Sequence, residues 1–96
     1  ESFVSTLVYG DKVIAHPEIS WVYNDTYVTA VQLRNKYPHE TQINVARDLC
    51  GVWQAATIYP SSYLKPQGNK AGDSATLFLV SKKPFAESME VCNGHA

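Results

Sequence analysis

The stretch from Ser74 to Cys92, SATLFLVSKKPFAESMEVC, does most to limit the folds open to this chain. Ala75, Leu77 and Leu79 alternate with Thr76, Phe78 and Val80, so both faces of a short run are apolar, which predicts an inner β-strand. Lys82-Lys83-Pro84 stops it, because proline has no amide proton to give and lysines blunt a sheet edge. Beyond the proline, Phe85, Met89 and Val91 share one parity and Ser88, Glu90 and Cys92 the other. That pattern predicts a half-buried antiparallel strand completing a terminal hairpin.

The run ends in one of two cysteines, the other being Cys50. The even count, the position of both beside strand-like runs and the absence of CxxC or Cys/His spacing favour a Cys50–Cys92 disulfide over two unrelated core thiols. Such a bond stabilises by roughly 4 kcal/mol in the chain-entropy model. It also implies an oxidising compartment.

Upstream, Phe3 to Tyr9 and Lys12 to Ala15 are strand-like and flank Gly10-Asp11, which fits either an N-terminal hairpin or one strand with a bulge at the glycine. His16-Pro17-Glu18-Ile19-Ser20-Trp21 carries helix-start signals. From Ser20 to about Lys36, a helical projection gathers Val22, Tyr23, Tyr27, Ala30, Val31, Leu33 and Tyr37 on one arc, ended by Pro38. This predicts one amphipathic helix, rich in β-branched residues and held by packing. Alternation over Thr41 to Leu49 and Val52 to Tyr59 predicts two more strands, and Pro60 to Asp73 reads as an exposed loop long enough to suggest a function. The expected fold is therefore α+β: one main amphipathic helix on a four- to five-stranded, mostly antiparallel sheet, in the order ββαββββ or βαββββ. The 96 residues form a single domain, 1–96.

Chemistry is sparse. Eight Lys plus Arg stand against nine Asp plus Glu, scattered, so the electrostatic footprint of a nucleic-acid binder is missing. No apolar run is long enough to span a membrane, and the lack of an initiator methionine or signal-like start suggests a cut-out domain or a mature secreted product. His16 and His39 would sit at opposite ends of the helix, roughly 30 Å apart. They would not share a metal, and His95 lies in the tail. Nucleophile motifs and glycine-rich phosphate loops are absent, so neither catalysis nor a cofactor is expected. Asn24-Asp25-Thr26 matches a glycosylation sequon placed inside the expected helix. What remains is aromatic surface: Trp21, Trp53, Tyr59 and Tyr63 lie off the helix's buried arc, either as ordinary packing or as the lining of a pocket or partner interface.

The order of these features, with His16-Pro17-Glu18-Ile19-Ser20-Trp21, Val45-Ala46, Ile58-Tyr59, a terminal TLFLV strand and Val91-Cys92, resembles the C-terminal periplasmic domain of ToxR-type transmembrane transcription regulators of vibrios and relatives. The resemblance implies a sensory domain in the bacterial periplasm, part of an inner-membrane protein whose membrane span and DNA-binding domain lie outside these residues. It implies a co-encoded periplasmic partner of the ToxS or VtrC kind, forming a heterodimer, and a response to bile salts. An amphipathic steroid acid needs an apolar wall with few polar groups, to which Trp53, Tyr59 and Tyr63 would contribute. In those regulators the first cysteine lies in the helix, whereas Cys50 comes after the next strand, so their redox behaviour does not carry over. A second reading, from a different class, is a small secreted enzyme inhibitor or immunity-type protein using the Pro60 to Asp73 loop. A third is a secreted effector or lectin-like module.

Overall fold

A computed structural model describes residues 3–93. Its elements are β1 (Val13–Tyr23), β2 (Thr26–Asn35), β3 (Thr41–Gln42), β4 (Ala55–Tyr59), β5 (Tyr63–Leu64), β6 (Ser74–Ser81), α1 (Phe85–Ser88) and α2 (Glu90–Asn93). A four-stranded antiparallel sheet runs in the order β1-β2-β6-β4, and β3 pairs with β5 in a separate two-stranded ribbon.

The expected amphipathic helix over Ser20 to Lys36 is a β-hairpin. Asn24 and Asp25 occupy φ values of 49° and 61°, the two successive left-handed residues of a tight two-residue turn, a conformation that asparagine and aspartate tolerate better than most side chains. Tyr23 faces Thr26 across that turn, and the pairing continues to Val13 opposite Asn35. The β-branched residues that made the segment a mediocre helix are at home on a pleated sheet. Within β2, Thr29, Val31, Leu33 and Asn35 are all essentially buried, a period of two, whereas a helix would have spread them round its axis. The fold class is thus mostly antiparallel sheet, and α+β with one main helix is overturned. The sequon lies at the hairpin tip, with Asn24 and Asp25 exposed.

The terminal hairpin is also corrected. Ser74–Ser81 is an inner strand, but the chain beyond Pro84 forms two short helices. Phe85, Ser88, Met89 and Cys92 are the buried or half-buried positions, spaced i, i+3, i+4, i+7, so the segment has helical periodicity that the polar Ser88 disguises. Ser88 Oγ donates to Lys83 O at 3.1 Å, and Ser81 Oγ donates to the same carbonyl at 2.7 Å, which fixes the exit from β6. Residues 3–12 form no N-terminal hairpin; Val8 makes a single antiparallel bridge to Leu49. Of the strand expected over Thr41 to Leu49 only Thr41–Gln42 is extended, and Asn44 to Asp48 is a turn in which Asn44 O accepts from the Arg47 and Asp48 amides. The Arg47 guanidinium donates to Asp48, and this bond chiefly holds that carboxyl below the usual carboxylate range.

The core lies on one face of the large sheet. Ala15, Val31, Leu33, Ala75, Leu77 and Leu79 point into it from the large sheet, while Leu7, Val8 and Ile43 from loops, Leu64 from β5 and Met89 at α1's end close it. Cys50 and Cys92 are disulfide-bonded across a sequence separation of 42, with Cα atoms 6.0 Å apart, as expected. The bond ties α2 to the loop that precedes β4. The Pro60 to Asp73 loop is anchored by the fully buried Leu64 of β5 and by amide bonds from Lys65 to Gly72 O and from Gln67 to Tyr37 O.

Candidate functional site

No described element covers the second face of the sheet. The strand register builds that face in three rows. The first is Trp21, Val28, Val80 and Ala55; the second is Ile19, Ala30, Phe78 and Thr57; the third is His16, Gln32, Thr76 and Tyr59. None of the apolar residues in these rows belongs to the core cluster, which draws on the opposite parity of β2, β6 and β4.

A bulge in β1 creates the first two rows. The pairing slips between Pro17 and Ile19, leaving Glu18 as the extra residue. Before it, odd-numbered Ala15 and Pro17 face the core; after it, odd-numbered Ile19, Trp21 and Tyr23 face outward. The consequence is exposure of large apolar side chains: Ile19 is 52% exposed, Trp21 50% and Tyr23 78%. Ser20, exposed but set on the opposite side of the strand by the same slip, shares a 2.8 Å hydrogen bond with the buried Thr29 hydroxyl.

The aromatic residues anticipated as a ligand wall are separated. Trp53 is half-buried on the core side, stacked on Phe85 with ring centroids 5.7 Å apart, and its indole Nε1 donates to Cys50 O at 2.8 Å. Gly51, at φ 123°, lets the chain pass over that indole, since a Cβ there would lie 2.5 Å from the ring. Tyr63 is exposed on β5 and lines a cavity of about 250 Å³ with Pro60, Lys65 and Gly72. Tyr59 alone stands in a row of the open face. Trp53 instead lines a cavity of about 320 Å³ with Val45, Leu49, Ala55 and Ala56.

The residues that sequence reasoning missed on this face are Ile19, Val28, Phe78 and Val80. Alternation of Ile19, Trp21 and Tyr23 was the available signal, hidden by the helical reading. The histidines do not flank a helix: His16 lies on β1 with its ring edge-on to Phe3 at 5.4 Å, and His39 comes after β2 with its ring edge-on to Tyr37 at 5.4 Å. His95 lies outside the described residues. Among the described residues no group of three or more His, Cys, Asp or Glu side chains is arranged to hold a metal, and no helix is long and apolar enough to cross a membrane.

No curated protein and no solved structure matches this chain. Residues 1–93 match the sequence model of a family described as Protein of unknown function (DUF3438), and the chain belongs to that family.

Proposed function

We infer that this is a binding domain without catalytic activity, which receives a partner protein on the open face of its four-stranded sheet. The observation that supports this reading is the outward row of Trp21, Val28 and Val80, beside Ile19 and Phe78, on a face that no described element of the chain covers. An apolar patch of this kind, rich in rings with a polar tip, is characteristic of protein interfaces. A flat surface suits a folded protein better than a small molecule, which is usually held in a concave site. The disulfide supports an extracytoplasmic setting.

The narrower reading, the periplasmic part of a ToxR-like regulator paired with a ToxS-like protein, places its partner on this same face and its bile-salt response at the paired interface. The experiment is gel filtration of the domain with the purified product of the adjacent gene, with and without a bile salt. A complex is expected to form and to be lost in Trp21→Glu, whose melting curve is recorded beside it to show that the variant is folded. A complex that survives Trp21→Glu, or no complex at all, would overturn the proposal. A complex that forms only with bile salt would favour the ToxR-like version of it.

A further inference from the structure

The two edges of the sheet are unequal. β1 is protected by Pro17 and by the bulge at Glu18, both of which discourage a further strand. β4, Ala-Ala-Thr-Ile-Tyr, contains no charge, no proline and no glycine, pairs with β6 on one side, and has no strand partner on the other among the described residues. Such an edge is a template for strand addition.

We propose that β4 pairs antiparallel with β4 of a second copy of this chain, about a two-fold axis through Thr57, joining two four-stranded sheets into one of eight. Three observations select a second copy. First, the segment is complementary to itself in that register. Thr57 faces its own mate, a favourable cross-strand pair, and the small Ala55 faces the large Tyr59 on the open side. With no charge on the strand, no like-charge repulsion opposes the pairing. Second, Ala56 and Ile58 face each other on the core side, because Ala56 lies beside Leu79 and Ile58 beside Leu77 within one copy. Each copy's Ala56, which lines a cavity of about 320 Å³ with Val45, Leu49 and Trp53, is thereby set beside the other's half-buried Ile58. The contact is isologous. Third, one open face measures roughly 20 by 20 Å from strand spacing and rise, on the order of 400 Å² in projection. That is about half of what one partner of a standard interface contributes. Two faces side by side supply the remainder. The third observation rests on the reading of the open face; the first two and the test below do not, so the pairing can fail or hold apart from that reading.

A five-residue strand pair is small, and dissociation is expected between about 10 μM and 1 mM. Sedimentation equilibrium of the full chain over that range tests it. The wild type is expected to approach a dimer. Thr57→Lys, which opposes two ammonium groups on the axis, is expected to raise the dissociation constant about tenfold or more. Thr57 is exposed, so the variant should melt like the wild type. Should it fail to fold, Thr57→Cys decides, because a thiol on the axis meets its own mate. A covalent dimer on a non-reducing gel from Thr57→Cys, and none from Trp21→Cys, supports the pairing. A wild type monomeric throughout the range, a dimer indifferent to Thr57→Lys, or cross-linking through Trp21→Cys instead overturns it.

Discussion

Asn35 is the residue on which the crossing of chain segments depends. It is fully buried at the end of β2, and its Nδ2 donates to His39 O at 2.9 Å and Lys65 O at 3.0 Å. Its Oδ1 accepts from the Tyr37 amide at 2.9 Å and from Thr41 Oγ1 at 3.3 Å, while its own amide donates to Asp73 O at 2.8 Å. One side chain thus joins β2, the turn after it, β3 and the loop carrying β5. Asn35→Ala leaves two carbonyls and an amide without this partner inside the structure, so it is expected to cost about 3 kcal/mol or more. Urea unfolding measures this, and a loss below about 1 kcal/mol would show that water replaces the amide. Asn35 also conceals the strand it ends. A polar residue at a core position breaks the apolar alternation, and only the folded chain supplies the carbonyls that make its burial tolerable.

Elements were legible where local pattern and burial agreed. Ser74–Ser81 alternates without interruption, and its inner position in the sheet is the consequence of two apolar faces. The β1–β2 hairpin was illegible for three reasons. Thr29 and Asn35 are polar yet buried, Ser20 pairs with Thr29 by a hydroxyl hydrogen bond, and Glu18 shifts the phase of β1 midway. What survived those interruptions was a coincidental arc at 100° per residue. The turn chemistry at Asn24-Asp25 was the better signal, since asparagine and aspartate outside a helix favour left-handed φ. Asp25→Gly is expected to stabilise the hairpin by about 0.5 to 1 kcal/mol, because glycine holds a positive φ without strain. A destabilised variant, measured by thermal melting, would contradict the turn geometry. In the candidate site Tyr59 was anticipated and Trp53 and Tyr63 fell elsewhere, because which side of a strand a ring occupies depends on register and bulge, not on ring chemistry.

At the scale of the whole molecule, a single core under one sheet face leaves a small chain dependent on its cross-link. Joining residues separated by 42 positions stabilises by about 4 kcal/mol in the chain-entropy model. Reduction, or the Cys50→Ala/Cys92→Ala double variant, is therefore expected to lower the melting temperature by about 15 °C or more. A shift of only a few degrees would mean that α1 and α2 hold their place by packing alone. The same bond has a mechanical meaning. Tension applied to the two ends of the chain crosses from Cys50 to Cys92 through sulphur, so the backbone that carries β4, β5 and β6 is bypassed. The β1–β2 hairpin lies on the taut path. A pull would peel that hairpin from β6 first, and roughly 140 Å of potential extension would stay locked until a reductant cut the shunt.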